Sequence, residues 1–119
     1  MRHEIIHLKE KYSFLGENGC DPTVEIFLPD NLAEMQRQNK KRPCMIVCPG
    51  GAYCFCSKRE AEPIGVHFLS KGFNVFIMNY SVTPNKFPTQ LREIAAVTEI
   101  IYANADAWNC NTEKIAIIG

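Results

Sequence analysis

The chain has 119 residues, 46% of them hydrophobic, and its 13 basic residues balance 13 acidic ones. This length and apolar content fit one small globular domain with a real core. Because charges of both signs are interspersed, we predict neither a nucleic-acid partner nor an anionic membrane surface as partner.

The N-terminal segment, Met1 to Glu10, is charged throughout and lacks the apolar core of a signal peptide. No stretch approaches the ~20 apolar residues of a membrane span, so a cytoplasmic location is expected. The six cysteines include no C-x-x-C spacing. We therefore predict reduced, mostly buried thiols, with no metal site and no cofactor.

Two strands are predicted in the first thirty residues. Residues 3–8 are short and partly alternating, which fits an edge strand. In residues 24–28 apolar and more polar side chains alternate with period 2, as in a strand with one more polar face. Residues 31–42 support only a short surface helix or a connection.

An apolar run at residues 44–48 lies between Pro43 and Pro49 and predicts a strand buried on both faces. Gly50 and Gly51 come directly after it and allow a positive φ or a close approach of the backbone. In an open α/β sheet, ligands bind at this carboxyl end of the strands. A turn that merely reverses the chain is the alternative interpretation.

The next element is predicted to be a helix. Ser57 and Glu60 match a capping box, so the helix should begin near Lys58. Its apolar positions recur every three or four residues until Gly72, which should end it. His67 falls off the apolar stripe and is interpreted as a surface residue rather than a catalytic base.

Residues 73–79 are strongly apolar and complete a βαβ unit with parallel strands. A third buried parallel strand is predicted at residues 114–118. Between them, a helix is expected from Pro88 to Asn109, with an apolar face formed by Leu91, Ile94, Ala95, Thr98, Ile101, Tyr102, Ala105 and Trp108.

The segment Pro49-Gly50-Gly51-Ala52-Tyr53 resembles the oxyanion-hole loop of α/β-hydrolase esterases, which reads His-Gly-Gly-Gly or, in one branch, Pro-Gly-Gly-Gly-Tyr. The elements that follow are similar in order to the acetylesterase and carboxylesterase (lipase-esterase) branch. The resemblance implies an α/β fold, the N-terminal half of an α/β-hydrolase, with a mostly parallel sheet flanked by helices. It also implies the spatial strand order first, second, fourth, third, fifth.

The same resemblance assigns site residues. Gly51 and Ala52 match positions whose backbone amides form the oxyanion hole, and Gly50 matches the glycine that shapes the loop. Tyr53 is expected at the pocket mouth as a substrate-binding residue. Ala52 replaces a third glycine, and its methyl group should be tolerated if its φ is negative.

Gly119 matches the first glycine of Gly-x-Ser-x-Gly, so residues 1–119 are expected to form a single partial domain that stops before the nucleophile. In the family the catalytic Asp and His follow that serine. Neither Glu93, Asp106 nor any of the three histidines is therefore assigned to the triad, and Ser57 and Ser81 lack a nearby His.

The implied activity is serine-dependent hydrolysis of a short-chain acyl or acetyl ester, including sugar esters, and the 119-residue chain alone is expected to be inactive. The predicted partners are a small-molecule ester and, through the exposed terminal strand, a second copy of the chain. Two alternatives are a non-catalytic binding or regulatory domain of the same fold and a nucleotide-binding domain. The latter is weaker, because a phosphate loop should lead directly into a helix.

Overall fold

The computed structural model describes residues 1–119 and contains one five-stranded sheet. Its strands are β1 (Arg2–His7), β2 (Thr23–Leu28), β3 (Arg42–Val47), β4 (Asn74–Asn79) and β5 (Cys110–Ile118). The α-helices are α1 (Leu8–Lys11), α2 (Glu62–Ser70) and α3 (Thr89–Ala103), and short 3-10 turns lie at Glu17–Gly19, Ala33–Met35 and Lys58–Glu60. No helix is long and apolar enough to cross a membrane.

The strand order is β1-β2-β4-β3-β5, which confirms the predicted order. β1 and β2 are antiparallel, as are β2 and β4, whereas β3 is parallel to both β4 and β5. The α/β fold is therefore a mixed sheet, parallel over β4, β3 and β5. The carboxyl ends of these three strands meet at one edge of the sheet, where the connecting loops can form a common site.

The two faces of the sheet bury separate clusters of apolar side chains. β2 shows the expected alternation, with Val24, Ile26 and Leu28 buried. One cluster lies under α3, and its largest fully buried side chains include Phe76, Ile46 and Ile101. The other lies under α2 and contains Met45, Val47, Val75 and Ile77.

The capping-box prediction for α2 was wrong. The Ser57 side chain makes no cap hydrogen bond, a 3-10 turn occupies Lys58–Glu60, and α2 begins at Glu62. Ser57 is buried, and its backbone amide donates to the Gly50 carbonyl at 2.8 Å, so that amide is not free for the Glu60 carboxylate. Pro63, which needs no amide partner in a first helical turn, marks the true start of α2.

The predicted extent and apolar face of α3 were also wrong. The helix ends at Ala103, and Trp108 is buried from the turn that follows. Leu91 is 56% exposed. The buried positions are instead Glu93, Ala96, Val97, Ile100 and Ile101. The buried face of α3 includes a glutamate, Glu93, and a prediction based on apolar residues alone cannot identify a buried charged position.

Strands β3 and β5 differ from the predictions at their ends. β3 includes Pro43, because a register shift between Arg42 and Cys44 leaves the proline outside the regular ladder. β5 begins at Cys110 and pairs with β3 alone, so Ile117 is 55% exposed rather than buried. All six cysteines are free, but only Cys44 and Cys110 are buried, so the prediction of mostly buried thiols was wrong.

Candidate active site

The glycine loop lies at the edge of the sheet where the parallel strands end. It follows β3 directly and borders a cavity of about 270 Å³. The cavity also contacts the loop after β4, one face of α3 and the end of β5. Its lining residues are Cys48, Pro49, Gly50, Gly51, Ala52, Tyr53, Tyr80, Gln90, Ile94 and Gly119.

The loop has a tightly turned backbone. Ala52 and Tyr53 have φ values of 54° and 60°, and the Cys54 amide donates to the Gly51 carbonyl at 2.9 Å. Two successive positive φ values inside such a four-residue turn are typical of type I′ geometry. The sequence analysis expected the Ala52 methyl group to be tolerated if φ were negative, and this condition is not met, because the turn places Ala52 in the left-handed region.

Steric contacts require glycine at one position of the loop and favour it at a second. Gly51 has φ +151°, and a Cβ atom there would lie 2.0 Å from the carbonyl oxygen of Phe55. A Cβ on Gly50 would lie 3.1 Å from a carboxylate oxygen of Glu60, which is tighter than ordinary contact. The glycines therefore allow close approach of the backbone, as the sequence predicted.

The amides of Gly50, Gly51 and Ala52 donate to no protein acceptor. These three residues line the cavity, and no Asp, Glu, Lys, Arg or His side chain does so. Free backbone amides beside an uncharged cavity can bind a negatively charged oxygen that develops during a reaction. The same lining contains no group suited to act as a general base.

Tyr53 lies at the cavity with 61% of its surface exposed. Its ring makes an edge contact with Tyr80, with ring centroids 6.2 Å apart at an angle of 62°. This placement is compatible with the predicted position at the pocket mouth, and its substrate-binding role remains a prediction.

Three other residues that line the cavity were not predicted as site residues from the sequence. Tyr80 directly follows β4, a parallel neighbour of β3, so the rule that parallel strands share a carboxyl edge could have identified it. Gln90 and Ile94 lie one helical turn apart on α3 and therefore share a face.

Three ionisable side chains at or beside the cavity, those of Tyr80, Cys48 and Cys56, have raised pKa values. Burial, with smaller effects from Cys56, Cys48 and Tyr53, raises the pKa of Tyr80 to about 12. Burial likewise raises the pKa of the Cys48 and Cys56 thiols. At neutral pH, Tyr80 is thus a hydrogen-bond donor, and neither thiol is activated as a nucleophile.

Glu93 lies in the core beside this region. Its carboxylate accepts hydrogen bonds from the Ser81 amide at 2.8 Å and from the Ser81 hydroxyl. Burial raises the pKa of Glu93, and the two bonds from Ser81 offset part of that rise. These contacts explain why Ser81 and Glu93 are both buried, and they assign the pair a structural role.

No serine hydroxyl forms a hydrogen bond with a histidine ring. His3 pairs with Glu25 at 2.7 Å and His7 pairs with Asp21 at 2.9 Å, both on the exposed surface. His67 is exposed on α2, as predicted. None of the three histidines lines the cavity. The cavity is therefore bordered by free backbone amides, and no serine–histidine pair accompanies them.

Comparison with known proteins finds a matching family model and a similar protein of known name. A family model described as BD-FAE matches residues 25–119. Over 99 residues, the chain is 34% identical to Endo-1,4-beta-xylanase B of Butyrivibrio fibrisolvens, an alignment that covers 78% of this chain and 15% of that protein.

Two solved structures share the fold. MGS-M1, an alpha/beta hydrolase enzyme from a Medee basin deep-sea metagenome library, has a TM-score of 0.86 and 37% identity, covering 100% of this chain and 46% of that one. An acetyl ester-xyloside bifunctional hydrolase from Caldicellulosiruptor lactoaceticus has a TM-score of 0.83 and 26% identity. The match covers 98% of this chain and 42% of that one.

The chain spans less than half the length of these solved relatives and 15% of the xylanase. Within that span, the sheet corresponds to the N-terminal part of an α/β-hydrolase, as the sequence predicted. Because the family model matches most of its residues, the chain belongs to the BD-FAE family, with an α/β-hydrolase fold.

Proposed function

We propose that this chain supplies the oxyanion loop of a carboxylic-ester hydrolase that uses a serine nucleophile. The proposal depends on one juxtaposition: the free amides of Gly51 and Ala52 share a cavity with Gly119. By resemblance, Gly119 opens the Gly-x-Ser-x-Gly turn that holds the nucleophile. The serine would then follow at the rim of the same cavity.

In the proposed reaction, the serine oxygen attacks the ester carbonyl carbon while a histidine accepts its proton. The carbonyl oxygen gains a negative charge, and the amides of Gly51 and Ala52 donate hydrogen bonds to it. These donors carry no titratable proton, and no charged side chain lines the cavity that they share. Collapse of this intermediate breaks the ester C–O bond, the histidine returns its proton to the departing alcohol, and the acyl group stays on the serine. Water then hydrolyses this acyl-serine and releases the acid.

We propose that the substrate is a small-molecule ester with a short acyl group, including acetyl esters of sugars. A cavity of about 270 Å³ provides room for a short acyl chain. Tyr53 offers an exposed phenol at its mouth, which can donate to a sugar hydroxyl. The name of the Caldicellulosiruptor lactoaceticus relative, an acetyl ester-xyloside hydrolase, supports the same substrate class.

The full-length protein that contains this chain should hydrolyse p-nitrophenyl acetate faster than p-nitrophenyl octanoate. A fluorophosphonate probe should also inactivate it by labelling one serine, which peptide mass spectrometry can locate. A folded full-length protein that shows neither turnover nor labelling would contradict the proposal. That result would favour the non-catalytic binding or regulatory domain.

A separate prediction concerns residues 1–119 produced alone. β5 pairs on one side only and exposes Ile117 and Ile118, so its free edge can recruit another strand. We expect this chain to self-associate or aggregate in light scattering and to hydrolyse no p-nitrophenyl ester. A stable monomer would contradict the first expectation, and turnover with burst kinetics would contradict the second.

A further inference from the structure

We propose that Tyr80 and Thr83 are positioning residues that clamp the oxyanion loop at its two ends. The inference rests on the proposed function of that loop. Both residues belong to the segment between β4 and α3.

The first contact of the clamp is at the start of the loop. The phenol hydroxyl of Tyr80 donates to the carbonyl oxygen of Pro49. Because a peptide unit is planar, fixing this carbonyl also fixes the direction of the Gly50 amide. The edge contact between the Tyr80 and Tyr53 rings adds a second restraint on the same side chain.

The second contact is at the end of the loop. The carbonyl oxygen of Tyr53 accepts two hydrogen bonds from Thr83, from its amide at 2.8 Å and its hydroxyl at 3.0 Å. The amides of Gly51 and Ala52 therefore lie between two peptide units that are both held by the β4–α3 segment.

The loop needs such support because its own conformation is strained. Ala52 and Tyr53 both have positive φ, which costs free energy for residues other than glycine. Within the loop region, the restraining backbone bonds are those from Cys54 to Gly51 and from Ser57 to Gly50. External hydrogen bonds that match the strained geometry would stabilise it against relaxation.

The clamping segment is itself rigidly held. Ser81 is bonded to the buried carboxylate of Glu93, and its carbonyl accepts a hydrogen bond from Gln90 at 2.8 Å. Gln90 also donates to the Asn85 carbonyl at 3.3 Å. Groups that position a site work best when their own rotamers are fixed by such contacts.

The test uses Tyr80→Phe and Thr83→Val in the full-length protein. Misplaced oxyanion donors weaken transition-state binding more than substrate binding, so Tyr80→Phe should lower kcat by about 10- to 100-fold with little change in KM. Thr83→Val keeps the amide donor and should cost about 3- to 10-fold in kcat. Thr83→Ser restores the hydroxyl and should recover most of the wild-type rate.

Tyr102→Phe is the matched control. Its hydroxyl also donates to a backbone carbonyl, that of Thr112 at 3.3 Å, but it is exposed and does not line the cavity. This variant should keep the wild-type kcat. Thermal unfolding of each variant shows whether any loss of activity reflects lost folding.

Hydrogen exchange provides a readout that needs no activity. In Tyr80→Phe and Thr83→Val, the amides of Cys54 and Ser57 should exchange faster than in the wild type and in Tyr102→Phe. If the wild-type protein had no esterase activity, the proposed function would be contradicted. The comparison of exchange rates between the variants and the wild type would still test the clamp in that case. Unchanged exchange together with unchanged kcat in folded Tyr80→Phe would overturn the clamp alone.

Discussion

Gly51→Ala should lower kcat of the full-length enzyme by at least about 100-fold, the size of effect seen when an oxyanion donor is lost. The new Cβ would lie 2.0 Å from the Phe55 carbonyl oxygen and 2.8 Å from its carbon. Both atoms belong to the backbone, so the loop must change its conformation. The Gly51 and Ala52 amides would then leave the positions in which they meet the oxyanion.

Gly19→Ala is the matched control for this substitution. Gly19 also has a positive φ, +74°, but a Cβ atom there would meet no atom of a non-adjacent residue within 4 Å. The variant should lose about 1 kcal/mol of stability from the left-handed backbone and keep its wild-type kcat. Folded Gly51→Ala protein with the wild-type kcat and KM would contradict the role assigned to the loop.

Glu93→Ala should cause a large loss of stability. It removes the acceptor for both the amide and the hydroxyl of Ser81 in a fully buried setting, and it leaves a cavity under α3. Unsatisfied buried donors together with a cavity predict a loss of about 2–4 kcal/mol in the free energy of unfolding. Urea unfolding of the wild type and the variant measures the difference directly, and a loss within error of zero would contradict the structural role of Glu93.

Glu93→Gln separates the charge of this side chain from its hydrogen bonds. Burial raises the folded-state pKa of Glu93 above its ordinary value of 4.5. The folded protein therefore binds the proton more tightly, and the stabilisation from the protonated carboxyl is lost as the pH rises through the folded pKa. Relative to Glu93→Gln, the wild type should become less stable as the pH increases from 4.5 towards neutral. A difference that does not depend on pH would contradict a raised pKa.

The sheet could be predicted because its signals are local. Alternation in Val24, Ile26 and Leu28, and apolar runs in β3 and β4, reflect burial of individual strands and require no knowledge of distant residues. The spatial order came from the family resemblance. The position of the glycine loop followed from both, since Gly50 and Gly51 come shortly after β3, a strand of the parallel region.

The errors arose where distant contacts determine local structure. Ser57 does not form the predicted capping box with Glu60, since the Ser57 amide is already bonded to the Gly50 carbonyl. Glu93 is buried because Ser81 satisfies its carboxylate across the β4–α3 loop. None of these partners is adjacent in sequence, so neither periodicity nor propensity could indicate them.

A crystal structure of the full-length protein with a phosphonate bound covalently to its serine would test the central claim most directly. The phosphonate oxygen occupies the position of the oxyanion. We predict that it lies about 2.7–3.1 Å from the backbone nitrogens of both Gly51 and Ala52. An adduct whose oxygen is bound by other donors, with these two amides out of hydrogen-bond reach, would contradict the assignment of this loop as the oxyanion hole.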